Sequence, residues 1–382
     1  MSGEEERGGG RKGKARLLRH PLLGSDLRTL LGTVRRNGSV PPGRYPHLLA
    51  AVASAALRWP FRAAERGWAR RASGRASPIR RPLFVVGHWR SGTTHLYNLL
   101  SRDPRFVYPH PLATGLPWEF VSLGRLFRPL LERTLPDDRW VDPLPVRPDS
   151  PQEDEIALAS MQTVSFYHGI YFPRRFRESV FRGVFFDGCG AAEVEGWKEA
   201  LGHFLLKLAA EGGGRRILVK NPVYTARVAI LRALYPDARF IHIHRNPFEV
   251  YQSSRRFWRT LLDELAWQDP GLVSDEEIDQ VILDLYPRLM GRLLEDRAAL
   301  PGNRIVEVRF AELLGRPLPV VERIYDRLDL GGFGDVEPRF SSYLAAVRSY
   351  EKRSYRFSPG AVERIGERWA PFLERWEYGV PA

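Results

Sequence analysis

The chain of 382 residues, 43% hydrophobic and 27% charged, has the composition of a folded globular protein and the length of one large or two ordinary domains. Its single cysteine, Cys189, excludes an internal disulfide framework, and no run of 18 apolar residues marks a membrane-spanning helix. The formal net charge of +13 is concentrated at one end: residues 1–80 hold 17 Lys+Arg and 5 Asp+Glu, leaving 41 of the 58 basic and 40 of the 45 acidic residues for the rest. The folded part is therefore near neutral, which argues against a nucleic-acid partner, since that would need a basic face on the folded module itself.

In chain order, residues 1–14 are rich in Gly, Glu and basic residues and are expected to be disordered. From His47 to Ala72 the pattern predicts helix, first alanine-rich and then basic with Trp59, Phe61 and Trp68 interleaved. Such a segment either docks on an anionic membrane surface or packs as an ordinary helix on the body of the protein. The division expected is a basic N-terminal extension over 1–80, with a disordered tip followed by helix, and one catalytic domain over 81–382. Short apolar runs at 83–87, 216–220, 239–244 and 304–308 read as buried strands separated by helical stretches, the signature of a parallel sheet covered by helices on both faces. The N-terminus lacks the apolar core and cleavage site of a signal peptide, so a cytoplasmic location is expected, with a peripheral position at the inner membrane face if residues 47–72 dock there.

The loop after the first strand carries the chemistry. Residues 84–94 read Phe-Val-Val-Gly-His-Trp-Arg-Ser-Gly-Thr-Thr. Gly87 and Gly92 let backbone N–H groups curl around an anion at a helix N-terminus. The spacing approaches a nucleotide P-loop, but Thr93 stands where that loop has its lysine, and the cation appears earlier as Arg90. Without the lysine the loop is poorly equipped for a triphosphate–metal complex. Its amides, the hydroxyls of Ser91, Thr93 and Thr94, and Arg90 suit a smaller anion. Two further strand ends carry cations. Arg245 follows the strand 239–244 and precedes Pro247 at a helix start, with Ser253 about two turns on. Lys220 closes the strand 216–220; in a chain with only six lysines a compact ammonium at a buried strand end is a candidate for function, against the plainer reading of a surface lysine reaching solvent.

Val-Gly-x-x-Arg-Ser-Gly-Thr-Thr-x-Leu, followed by the Arg245/Ser253 pair, resembles sulfotransferases that use 3′-phosphoadenosine 5′-phosphosulfate (PAPS), in the arginine-bearing branch of tyrosylprotein and many bacterial enzymes. The resemblance spans most of residues 81–315. It implies a three-layer P-loop-type α/β fold with a central parallel sheet of about four to five strands, PAPS as donor, and no metal. It assigns Gly87, His88, Trp89, Arg90, Ser91, Gly92, Thr93 and Thr94 to the 5′-phosphosulfate and Arg245 and Ser253 to the 3′-phosphate. Lys352 and Arg353, in a late basic segment, are further candidates for the 3′-phosphate. Two departures are visible: Trp89 replaces a proline often found before the arginine, and Lys220-Asn-Pro replaces Lys-Asp-Pro, keeping the cation near the transferred sulfonate and losing a carboxylate.

Sulfonate transfer is an in-line displacement in which the protein positions the donor and neutralises charge on the bridging oxygen; Arg90 and Lys220 are the candidates. The general base that takes the acceptor's proton has three candidate locations. Glu153 and Glu155 lie in Ser-Pro-Gln-Glu-Asp-Glu, similar to a segment of bacterial members, and cannot share one helix face. His110 lies nearly where tyrosylprotein sulfotransferases place a glutamate, and Glu119 sits between Trp118 and Phe120. Each has a structural alternative, such as helix capping. The acceptor class left open is a lipid, a carbohydrate or another small metabolite bearing a hydroxyl. Two other readings stay open from the residues alone: a P-loop nucleotide kinase or NTPase, and a non-catalytic peripheral membrane or interaction protein.

Overall fold

The computed structural model describes residues 20–73, 79–124, 126, 147–347 and 357–380; the expected disordered tip lies outside them. Two compact units divide the chain. The first takes residues 1–76, 109–207 and 260–273, the second 77–108, 208–259 and 274–382.

The second unit holds the sheet. Its strands are β1 (Leu83–Val86), β2 (Phe106–Val107), β3 (Arg216–Lys220), β4 (Arg239–His244) and β5 (Ile305–Arg309), all parallel in the order β2-β3-β1-β4-β5. Four of them match the apolar runs read from the sequence. β2 was not foreseen, because two apolar residues carry no period. Every residue of β1 and β4 is buried, as expected of central strands in a sheet covered on both faces. Successive side chains alternate between the faces. Leu83, Val85, Ile241 and Ile243 share one core with Leu96 and Leu99 of the helix Thr93–Leu100 and with Val321 and Ile324 of the helix Pro317–Arg327. Phe84 and Phe240 point the other way, stacked on each other and edge-on to Tyr224 in Phe84's case.

The first unit is helical within the described residues. The segment expected to be helical over 47–72 forms two helices, Tyr45–Leu57 and Trp59–Ser73, and buried ion pairs tie it to residues 109–207. Arg58 meets Glu119 at 2.5 Å. Glu65 meets Lys207 at 2.5 Å and accepts from the Ser122 hydroxyl at 2.6 Å. Asp26 caps the helix Leu27–Asn37 by accepting from the Thr29 N–H at 2.7 Å and pairs with Arg66.

Five buried histidines set the response to acid. Desolvation pushes the imidazoles of His88 and His168 down to about 4 and those of His20 and His244 to about 3, and lowers His242 as well. In the unfolded chain each titrates near 6.5. Between about pH 4 and 6.5 the unfolded state therefore binds more protons than the native state, so stability falls as the pH drops through that window. The limiting slope is roughly 1 kcal/mol per pH unit per histidine. Urea midpoints measured at pH 7.5 and pH 5 should separate clearly, the lower at pH 5; equal midpoints would contradict the burial of these rings as neutral species.

Candidate active site

Register places the candidate residues of the second unit together. Lys220, the last residue of β3, is opposite Val85, and His242 of β4 is opposite Val86. The segments leaving β3, β1 and β4 thus emerge side by side at the carboxyl ends of the strands. In the order β2-β3-β1-β4-β5 the chain places β2 and β3 on one side of β1 and then crosses to β4 and β5 on the other, which makes this edge the topological switch point where open α/β sheets bind ligands.

The loop from Gly87 to Gly92 is held tightly. Gly87 has φ of +146°, and a Cβ there would stand 2.3 Å from the Ile243 carbonyl oxygen. Its N–H donates to the Thr225 hydroxyl at 2.8 Å, and that hydroxyl donates back to the Gly87 carbonyl at 3.1 Å. The Ser91 N–H and hydroxyl both donate to the His88 carbonyl, at 3.2 and 2.7 Å. Arg90 has φ of +68°, a left-handed conformation that costs a non-glycine residue about 1–2 kcal/mol. Such an outlier points to a site where position matters more than local ease. Gly92, also left-handed, precedes the helix Thr93–Leu100, and no side chain caps that helix. Its first-turn amides and the positive end of its dipole therefore face the loop as an anion site.

Gly92 cannot gain a side chain cheaply. A Cβ would fall 2.1 Å from the Phe310 ring at φ of +97°. Gly92→Ala is expected to destabilise the protein by about 1–3 kcal/mol and to weaken anion binding at the loop. Thermal melting and titration with 3′,5′-ADP would check both, and an unchanged affinity would show that the loop tolerates the displacement.

Three cations meet the loop. The Arg90 Nε donates to the Ser253 hydroxyl at 2.8 Å. The Arg245 guanidinium donates to the Arg90 carbonyl at 3.4 Å, pairs with Glu249 at 2.5 Å, and lies 5.1 Å above the Phe310 ring. The buried Lys220 donates to the Thr94 hydroxyl at 3.2 Å. The residues expected at the 5′ loop and at the 3′ site are thus joined by direct contacts within one unit. Asn221, where the resemblance leads one to expect aspartate, still accepts from the Val223 N–H at 3.0 Å, so the amide performs the capping a carboxylate would. His88 and Trp89 are buried against Tyr286 and Trp258 respectively, so their side chains anchor the loop. Lys352 and Arg353 lie outside the described residues. Reading the sequence missed Thr225, Glu249 and Phe310. Glu249 had a readable signal in its spacing of four from Arg245; the other two arrive from distant parts of the chain and had none.

The candidate bases all belong to the first unit. The His110 ring Nδ1 accepts from the Ala113 N–H at 3.4 Å and caps the short helix Pro111–Gly115. Glu155 opens the helix Glu155–Met161, is fully buried, and accepts from the Ser165 hydroxyl at 2.6 Å. Glu153 is half-buried just ahead of it. Glu119 is committed to Arg58, which donates to it at 2.5 Å and to the carbonyls of Leu23 and Ser25 at 2.7 Å each. Burial pushes the Glu119 carboxyl up to about 7 even beside that guanidinium.

A three-layer α/β fold with an arginine-bearing anion loop at its switch point defines a group-transfer enzyme of the P-loop type. A family model described as the sulfotransferase family matches residues 82–335. The omega-hydroxy-beta-dihydromenaquinone-9 sulfotransferases Stf3 of Mycobacterium bovis and of Mycobacterium tuberculosis are each 30% identical over 297 residues, 78% of this chain and 75% of theirs. Among solved structures, sulfotransferase STF9 from Mycobacterium avium superposes with a TM-score of 0.64 at 21% identity, covering 83% of this chain and 82% of that one. Sulfotransferase STF1 from Mycobacterium tuberculosis H37Rv gives 0.62 at 19% identity over 90% of each chain; both likenesses are of fold. The chain belongs to the sulfotransferase family and is a sulfotransferase.

Proposed function

We propose that the enzyme moves a sulfonate group from PAPS to a hydroxyl of a lipid-like acceptor. The observation that carries the donor reading is the 2.8 Å hydrogen bond from Arg90 to Ser253. It links a loop suited to a 5′-phosphosulfate with a second anion site suited to a 3′-phosphate, and a donor bearing both groups is the simplest ligand for the pair. In this reading the amides from His88 to Thr94 and the Arg90 guanidinium hold the phosphosulfate. Arg245 and Ser253 hold the 3′-phosphate, and Lys352 and Arg353 are added to it from the late basic segment. The acceptor oxygen attacks sulfur as the bond from sulfur to the phosphate oxygen breaks, releasing 3′,5′-ADP. Arg90 and Lys220 offset the charge that builds on the departing oxygen.

A base must take the acceptor's proton at hydrogen-bonding distance. Of Glu153, Glu155 and His110 we favour Glu153. It is the carboxylate of the pair that keeps partial exposure, whereas Glu155 is fully buried. The His110 Nδ1 accepts from Ala113, which places the neutral ring's proton on Nε2. Glu153→Gln is expected to lower kcat by about 10²–10⁴ with 3′,5′-ADP affinity unchanged; the same loss in Glu155→Gln alone would move the role there.

The acceptor class rests on likeness: the Stf3 relatives are named for an omega-hydroxy-beta-dihydromenaquinone-9 acceptor. Among the described residues no helix is long and apolar enough to cross a membrane. Incubating the protein with sulfur-labelled PAPS and separate lipid and polar extracts, then identifying the product by mass, tests donor and acceptor together. Label in the lipid pool supports the reading, label in the polar pool overturns the acceptor class, and transfer to neither pool overturns the donor.

A further inference from the structure

We propose that the outward face of the helices Tyr45–Leu57 and Trp59–Ser73 is a docking surface for an anionic lipid bilayer. In a helix on the surface of a globular protein the apolar stripe turns inward and the charges outward. Here the order is reversed. Several polar groups of these helices are consumed inside: Ser54 donates to the Leu23 carbonyl at 3.0 Å, while Arg58 and Glu65 are buried in the ion pairs with Glu119 and Lys207. The fully exposed positions among their described residues are apolar. Leu49 is 66%, Leu57 77% and Trp59 57% exposed; Tyr45 and Trp68 are exposed too, and the exposed positions 53, 56, 63 and 64 are alanines. Tyr45, Leu49, Ala53 and Leu57 recur every four residues, so they lie on one side of their helix. Of the nine large apolar side chains exposed among the described residues, six fall between residues 31 and 68. Scattered exposed apolar residues need no account, but a concentration of this kind marks an interaction surface.

Charge selects the occupant. Between residues 20 and 69 the only acidic residues are Asp26 and Glu65, and both are buried and paired with cations. Arg44, directly ahead of the first of these helices, is exposed, and the Arg66 side chain in the second keeps 43% exposure. The surface thus combines protruding Leu and Trp side chains with exposed charge of one sign, which suits the interface of an anionic bilayer, where aromatic rings sit at headgroup level and each arginine gains from the surface potential. A second copy of the chain would bring the same arginines against themselves, which works against a symmetric dimer. The proposal does not depend on the donor reading, since no residue of the Gly87–Thr94 loop, nor Lys220, Arg245 or Ser253, belongs to this face.

The test uses the full chain and vesicles of phosphatidylcholine alone or mixed with phosphatidylglycerol. Co-sedimentation is expected with the anionic vesicles, weaker with the neutral ones, and reduced at high salt. Leu57→Glu combined with Trp59→Glu is expected to cut vesicle binding by about tenfold or more. Both side chains are exposed, so thermal midpoint and 3′,5′-ADP affinity should stay unchanged in that variant. Conversely, Arg90→Ala should lose 3′,5′-ADP affinity and keep vesicle binding, which separates the two readings. Equal sedimentation of the double variant and the natural chain would overturn the proposal, as would no binding to anionic vesicles. A vesicle-free dimer that the double variant abolishes would also overturn it, by assigning the face to a second copy.

Discussion

Arg90→Ala lowers the rate of sulfonate transfer by about 10²–10³-fold, the usual cost of removing one preorganised charge from a transition state, and weakens binding of 3′,5′-ADP. The expectation follows from what the side chain does in the loop. Its guanidinium is positioned by the bond to Ser253, its carbonyl accepts from Arg245, and its backbone is held at φ of +68°. Lysine cannot reproduce the first of these, because a point ammonium lacks the fixed geometry of a guanidinium, so Arg90→Lys should recover little activity. Arg90→Gly supplies the control. It removes the same charge but relieves the left-handed strain, and should therefore be as inactive as the alanine variant while melting at a higher temperature by the equivalent of about 1 kcal/mol. Turnover in either variant close to that of the natural chain would sink the assignment of Arg90 to the donor. Arg245→Ala should weaken 3′,5′-ADP binding with a smaller effect on kcat once the donor is saturating, since in the proposed reading Arg245 holds the 3′-phosphate, away from the bond that breaks.

Glu119→Leu should cost about 3–5 kcal/mol of stability, because it leaves the Arg58 guanidinium buried without its counter-ion. That pair is nearly inaccessible from both sides, at 10% and 2% side-chain exposure. Adding Arg58→Met should recover part of the loss, since an apolar pair of similar volume avoids the desolvation of two charges. Recovery should stop short of the natural value: Arg58 also serves the carbonyls of Leu23, Gly24 and Ser25, and the double variant strips those of their donor. Urea unfolding of the two single variants and the double variant closes the cycle. A single Glu119→Leu variant that loses less than about 1 kcal/mol would show that the pair is incidental to holding residues 20–58 against the rest of the first unit.

Much of the candidate loop and its cation-bearing strand ends was legible in the residues because their determinants are local. A strand is a short apolar run, glycines at 87 and 92 mark a turn that approaches a ligand, and Arg90, Lys220 and Arg245 each close or follow a strand, so their places need no knowledge of distant contacts. The strands were legible but not their order: four announced themselves, while Phe106–Val107 exists as a strand only because it pairs with Arg216 and Ile217. Thr225 and Phe310, which lock Gly87 and press on Gly92, are separated from those glycines in sequence by well over a hundred residues, and nothing in their own neighbourhood marks them. The acidic candidates show the opposite failure. Glu119, Glu153 and Glu155 look alike in sequence, and only the fold separates them: Glu119 and Glu155 are buried, while Glu153 keeps partial exposure.

The sequence by itself determined the class of the protein. Its candidate anion-binding elements are strand–loop–helix junctions whose residue types follow from backbone geometry and charge, and the family match over residues 82–335 spans all of them. Tertiary structure alone decided how those elements combine, since parallel strands distant in the chain must be brought into register before Arg90 can reach Ser253. It also decided which residues of the N-terminal helices are buried. The same basic and aromatic residues read as docking face or packed helix until burial turned Arg58 and Glu65 inward and left Leu49, Leu57 and Trp59 outside.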